Sequence, residues 1–93
     1  MSDLNELRKE IDRIDDEIIK YFNMRLEVSK KVAQYKAEKN MEVLQSDRER
    51  EINEKIKRKA PKGYEEHFVK LFDCILEISK NVQAEMVSKV EGN

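Results

Sequence analysis

Residues 3–40 read DLNELRKEIDRIDDEIIKYFNMRLEVSKKVAQYKAEKN, and this stretch decides the fold. Apolar residues recur along it at steps of three and four, and it contains neither Pro nor Gly. This period predicts one α-helix over about residues 3–40, with Ser2 or Asp3 as its N-cap. The apolar positions are Leu4, Leu7, Ile11, Ile14, Ile18, Phe22, Val28, Val32 and Tyr35.

The predicted helix is too long for the rest of the chain to cover. Roughly 37 residues at 1.5 Å per residue give a rod of about 55 Å. A compact chain of this length has a radius of gyration of only about 12 Å. The apolar stripe therefore needs a partner, and a second copy of the chain is the simplest one. We expect an obligate, interlocked homodimer.

The rest of the sequence predicts two further helices. A connection at residues 41–46 leads to a second helix over about 47–59, which Pro61 and Gly63 end. The third helix covers about residues 64–90, and no alternating run indicates a strand, so the fold class is all-α. The apolar stripe of the third helix is Phe68, Leu71, Phe72, Ile75, Leu76, Val82, Met86 and Val90.

Composition narrows the class of function. Residues 1–93 fit one domain, and 19 basic against 20 acidic residues, interspersed, argue against nucleic-acid binding. No apolar run reaches membrane-spanning length and the N-terminus does not resemble a signal peptide, so we expect a cytoplasmic protein without a membrane partner. His67 and Cys74 lack ligand partners at metal spacing, and no Gly-rich phosphate loop occurs. We therefore expect neither metal nor nucleotide cofactor, and Cys74 is expected to pack between helices.

Four polar side chains fall on apolar helix faces. Arg25 fills a gap in the stripe of the first helix, and Lys36, eleven residues later, has nearly the same azimuth. In the third helix, Ser79 and Gln83 lie four residues apart and flank the apolar stripe. Snorkelling or hydrogen bonding between helices would explain any one of them. Together they favour a site for an anionic ligand.

The start of the second helix allows two interpretations. SDRERE, residues 46–51, places Glu49 three residues after Ser46, which is the spacing of a capping box. Helix N-termini also favour anions, and Arg48 would then lie near a ligand in the core. The local sequence leaves both open.

The sequence resembles the all-helical chorismate mutases in four segments, LRKEID, MRLEVSKKVAQYK, DREREI and LFDCILEISKNVQ. They follow in the family's order and cover nearly the whole chain. That family converts chorismate to prephenate, in phenylalanine and tyrosine biosynthesis, by a pericyclic Claisen rearrangement without a cofactor. The resemblance implies a stand-alone isomerase of this kind, working as an interlocked homodimer. We expect no second catalytic or ligand-sensing domain.

The resemblance also implies which residues bind the substrate's two carboxylates. Arg8 and Arg25 would each bind one, and Ser79 would help to hold one of them. Arg8 precedes Arg25 by seventeen residues, about 25 Å along a helix, so one chain cannot bring both to a small ligand. Arg8 would instead complete the site of the partner subunit.

Further roles follow from the same resemblance. Lys36 and Gln83 would donate to the ether oxygen, where negative charge develops as the C–O bond breaks. Arg48 would support substrate binding, and Glu49 would accept a hydrogen bond from the ring hydroxyl. Gln45 departs from the family, which often has an acidic residue there. Because Gln83 is a neutral amide, activity should change little between mildly acidic and neutral pH.

Two alternatives stay open. Isochorismate-pyruvate lyase shares the scaffold, the arginines and the terminal Gln, although Glu49 favours the mutase. A non-enzymatic helical dimerisation module would use Arg25, Lys36, Ser79 and Gln83 to specify register. In that case, Arg25→Leu or Gln83→Leu should raise stability, because buried polar groups cost more than apolar replacements.

Overall fold

The chain forms three α-helices in a computed structural model that describes residues 3–43 and 45–91. They are α1, Leu4–Glu38, α2, Ser46–Lys59, and α3, Glu65–Glu91. No strand occurs in the described ranges. The predicted all-α class is confirmed.

The N-terminus of α1 is capped by Asp3. Its Oδ1 accepts a hydrogen bond from the backbone N–H of Glu6 at 2.9 Å, which satisfies one of the unpaired donors of the first turn. Ser2, the other predicted cap, lies outside the described residues, as does the side chain of Val90 in the predicted stripe of α3.

The C-terminus of α1 lies two residues before the predicted one and forms a Schellman motif. The N–H of Met41 donates to the carbonyl of Lys36 at 2.8 Å, and that of Asn40 donates to Ala37 at 3.3 Å. Asn40 has a φ of 57°, a left-handed conformation that Asn tolerates better than most residues. The motif turns the chain back over the last turn of α1, where Lys36 lies.

The N-terminus of α2 lacks the capping box that was one of the two open interpretations of this segment. Gln45 is the N-cap residue, but its side-chain amide donates to the carbonyl of Glu42 at 2.8 Å and caps nothing. Ser46 is already helical, and Glu49 forms an ion pair with Lys80 of α3 at 3.2 Å. The capping-box interpretation is wrong because Glu49 is engaged across the α2–α3 contact.

A tight connection joins α2 to α3. The helix ends at Lys59, and Ala60 is extended, as a residue before Pro61 prefers to be. Gly63 has a φ of 95°, and its N–H donates to the Glu65 carboxylate at 3.0 and 3.1 Å. Hydrogen bonds from the backbone N–H groups of Glu65 and Gly63 lower the pKa of that carboxyl.

Helix α3 packs against both α1 and α2, whose backbones do not come close to each other in the described ranges. The apolar core of the single chain is small: Ala33, Ile56 and Leu76 are buried, together with the polar Ser29 and Ser79. The molecule measures 58 × 28 × 14 Å with a radius of gyration of 16.9 Å. A compact chain of this length would have about 12 Å. The structure thus keeps the elongated shape that the long first helix predicted.

Much of the apolar face of α1 is exposed in the single chain, as is part of α3. Cys74 is also exposed, so the prediction that it packs between helices is wrong for the single chain. None of the helices in the described ranges is both long and apolar enough to cross a membrane. The exposed apolar residues of α1 and α3 include Leu4, Leu7, Ile11, Ile14, Ile18, Tyr21, Val28, Val32, Phe68, Leu71 and Ile78.

Candidate functional site

A cavity of about 280 Å³ lies where side chains of all three helices meet. Its walls include apolar side chains from each helix and polar side chains that point into the space between them. Arg8 does not line it and is exposed near the start of α1. Six of the seven predicted site residues do line it, namely Arg25, Lys36, Arg48, Glu49, Ser79 and Gln83.

Arg25 is bound to Ser79 across the α1–α3 contact. Its Nη1 donates to Ser79 Oγ at 2.5 Å, and Ser79 is only 4% exposed. Burial, and then the nearby Arg48 guanidinium, lower the pKa of Arg25. Both effects disfavour a positive charge here, and a bound anion would counter both.

Lys36 connects α1 to α3 and to the loop before α2. Its Nζ donates to Gln83 Oε1 at 3.1 Å and to the carbonyl of Val43 at 2.8 Å. Burial lowers the pKa of Lys36. Because Gln83 Oε1 faces the ammonium, the Gln83 Nε2 group is left to donate to a ligand. Two adjacent donors can therefore meet one acceptor atom in the cavity.

Arg48 and Glu49 lie at the α2 side of the cavity. Arg48 pairs with Glu51 at 3.2 Å, and because both side chains are two-thirds exposed this ion pair adds little stability. Glu49 is better covered, with 28% of its side chain exposed, and pairs with Lys80. Arg48 can leave its partner for a ligand at small cost, whereas Glu49 is held in place.

Besides Gln45, which the sequence analysis noted only as a departure from the family, two polar residues that line the cavity were not predicted from the sequence. Ser29 is 7% exposed and lies one turn after Arg25 on the same helix face. Lys80 directly follows Ser79 and lies three residues before Gln83. The sequence could have indicated both residues, because each is polar and lies within one helical turn of a residue already placed in the site.

The cavity has the charge and the size for a small organic anion. Four cations and one carboxylate line it, which leaves a net charge of +3. Apolar walls lower the local dielectric constant and strengthen the attraction of these cations for an anion. Within the described ranges, no group of three His, Cys, Asp or Glu side chains is placed to hold a metal ion.

Three helices around a cationic, partly apolar cavity define a small all-α protein with a candidate site for an organic anion. Residues 7–84 match the family model described as chorismate mutase type II. Because this match spans most of the sequence, the chain belongs to the chorismate mutase type II family. The resemblance found in the sequence is confirmed at the level of the family.

A curated relative supports the same assignment. The bifunctional chorismate mutase/prephenate dehydratase of Aquifex aeolicus (strain VF5) is 48% identical over 58 residues. The aligned segment is 62% of this chain and 16% of the relative, so the chain spans a small part of that protein's length. No solved structure matches the chain.

Proposed function

We propose that this chain catalyses the rearrangement of chorismate to prephenate, as an isomerase that needs no cofactor. The observation that carries the proposal is the convergence of two polar pairs, Arg25–Ser79 and Lys36–Gln83, on one cationic cavity. Membership of the chorismate mutase type II family supports it, as does the mutase activity named for the curated relative.

The substrate is a dianion, and we assign one of its carboxylates to Arg25 and Ser79. Fixing both carboxylates selects the compact conformer in which the bond-forming atoms approach each other. The Ser79 hydroxyl, now accepting from Arg25 Nη1, can rotate to donate to a carboxylate oxygen. Arg48, which is partly free at the edge of the cavity, completes the positive surroundings of the substrate.

The ether oxygen of the substrate is assigned to Lys36 and Gln83. Negative charge grows on that oxygen as its C–O bond breaks, so donors fixed beside it bind the transition state more tightly than the ground state. A millionfold acceleration needs about 8 kcal/mol, and one well-placed donor supplies about 3. Two adjacent donors and a pinned conformer therefore supply the magnitude required. Glu49 would accept the hydrogen bond of the ring hydroxyl.

The active unit in this proposal is an interlocked homodimer, with residues 1–93 as one domain in each subunit. Arg8 is on the same helix as Arg25 but about 25 Å from it, and it does not line the cavity of its own chain. The exposed apolar face of α1 offers a surface for a second copy. Arg8 of one subunit would then bind the second carboxylate in the site of the other.

The decisive experiment follows the loss of chorismate absorbance with purified protein. Acid conversion of prephenate to phenylpyruvate identifies the product, and isochorismate serves as a second substrate. Arg25→Ala should abolish turnover, whereas Arg58→Ala, at an exposed position near the end of α2, should not. Pyruvate release from isochorismate without chorismate turnover would make the protein a lyase. A folded dimer that is silent on both substrates would overturn the proposal in favour of a dimerisation module.

A further inference from the structure

We infer that Lys80 is a positioning residue of this site, which holds the Glu49 carboxylate away from the arginines that receive the substrate. The inference rests on the proposed function, since it concerns the same cavity and the same ligand. Nothing in the resemblance assigns a role to Lys80. Its importance follows from the contacts that it makes in the folded chain.

The Lys80–Glu49 ion pair differs from the other ion pairs of the described ranges. Lys80 Nζ lies 3.2 Å from Glu49 Oε1 and joins α3 to α2. The others each join two residues three apart on one helix, with side chains that are between 43% and 87% exposed. Here the exposed fractions are 42% and 28%. A pair that is more covered from water is less screened and holds its geometry better.

The pair also forms part of the wall between two cavities. Glu49 and Lys80 line the site cavity and, together with Leu76, line a second cavity beside it. That second cavity is otherwise polar, since its remaining side chains are Asn53, Asp73, Glu77 and Asn81. The ion pair therefore fixes where the site ends and which way its single carboxylate lies.

Without Lys80, the Glu49 carboxylate would have other cations within the same cavity. Arg25 and Arg48 both line it; Arg25 is proposed to bind a carboxylate of the substrate, and Arg48 to complete the positive surroundings of the substrate. On the other side, Asp73 and Glu77 would repel Glu49. An unpaired Glu49 would thus turn toward the arginines and compete with the substrate for them. Lys80 prevents this competition.

The test is a double-mutant cycle between Lys80→Met and Glu49→Gln in the protein of residues 1–93. In the wild-type background, Lys80→Met should raise KM for chorismate about five- to tenfold and change kcat less than about twofold, because it weakens binding without touching the reacting atoms. In the Glu49→Gln background the same change should alter KM less than about twofold, since no carboxylate is left to misplace. Lys80→Arg should restore a KM near that of the wild type.

Controls separate positioning from a purely structural tether. Lys70→Met removes the same charge from an exposed position of α3 and should leave KM unchanged. Thermal melts verify that each variant folds, and Lys80→Gln replaces Lys80→Met if the latter does not.

Three outcomes would overturn the inference. An unchanged KM in Lys80→Met would show that Glu49 needs no partner. An equal rise of KM in both backgrounds would make Lys80 a tether between α2 and α3. In both cases the proposed function would stand, because the wild type turns chorismate over. A wild-type protein without chorismate turnover would overturn the proposed function and this inference together.

Discussion

Arg25 occupies a position that disfavours its own charge. Burial and the neighbouring Arg48 both lower its pKa, and within the described ranges its hydrogen-bond partner is the neutral hydroxyl of Ser79. A core would gain from an apolar residue at this position, because a partly buried cation without a compensating anion is unfavourable. Binding sites commonly keep such residues at the expense of stability. The energetics of Arg25 therefore favour a ligand over a purely structural role.

Arg25→Leu should lower activity without lowering stability. We expect kcat/KM for chorismate to fall at least about 100-fold, because a charged donor to the substrate is lost. The melting temperature should stay level or rise by a few degrees, since the variant removes an unfavourable charge. Circular dichroism melts at one protein concentration measure the second effect, with Arg58→Leu as the matched control. A melting temperature lowered by many degrees would make Arg25 a structural residue.

The pH dependence of activity should follow Lys36, because Gln83 has no proton to gain or lose in this range. Lys36 must be charged to donate fully, and burial lowers its pKa from the usual 10.5. We expect kcat/KM to be level from mildly acidic to neutral pH and to fall on the alkaline side, before a free lysine would titrate. A pH profile of kcat/KM reports these free-enzyme groups. Lys36→Arg should move the alkaline fall to higher pH.

On the alkaline side, stability should change with pH in the opposite direction from activity. A lysine whose pKa is lowered by folding destabilises the fold while it is charged in both states; this penalty starts to fall as pH rises past the folded pKa and is gone above the unfolded one. Activity and stability should therefore move in opposite directions on the alkaline side.

A steep change of kcat between mildly acidic and neutral pH would count against Gln83 as the neutral donor.

Substitutions at the N-termini of α1 and α2 should show which of the two helices is stabilised by a side-chain cap. Asp3→Ala removes a side-chain cap of α1 and should lower the free energy of unfolding by about 1 kcal/mol. Ser46→Ala should change it by less than about 0.5 kcal/mol, because Ser46 is already helical and α2 has no side-chain cap. Urea unfolding at a fixed protein concentration measures both. An equal loss in the two variants would show that the Ser46 cap forms in solution.

The helices themselves were predictable because their signals are local. Apolar periodicity, Asp3 at one end and Pro61 with Gly63 at another give each boundary within two residues. The cap of α2 was not predictable in the same way. Ser46 and Glu49 match a local motif, but Glu49 is instead engaged by Lys80 of another helix. No neighbouring residue reveals that competition.

The packing of the whole molecule determines which polar side chains contact each other. The azimuth of a residue follows from the helical period, so the sequence predicted that four polar side chains of the cavity lie on the inward faces of their helices. They are Arg25, Lys36, Ser79 and Gln83. The partner of each side chain depends on how far α1 is shifted along α3, which packing alone decides. The pairing of Arg25 with Ser79, and of Lys36 with Gln83, therefore could not be predicted from any one segment of the sequence. Arg8 shows the same limit, since the role proposed for it requires a second chain.

A complementation experiment tests the proposed dimer and the role of Arg8 together. Arg8→Ala and Arg25→Ala homodimers should each be nearly inactive. When the two variants are unfolded, mixed in equal amounts and refolded, about half of the dimers should contain one chain of each. If Arg8 serves the partner's site, every mixed dimer has one intact site and one that lacks both arginines. Activity should then recover to about a quarter of the wild-type value.

The same mixture also has an outcome that would contradict a site shared between the two chains. If Arg8 and Arg25 belonged to one chain's site, each chain of a mixed dimer would still lack one arginine, and activity would stay at the level of the separate variants. Sedimentation of the refolded mixture supplies the control, because it shows whether dimers have formed at all. Recovery in a mixture that sediments as a dimer would thus mean that each cavity is completed by an arginine of the other chain. It would also explain why the apolar face of α1 extends so far beyond the part that its own chain covers.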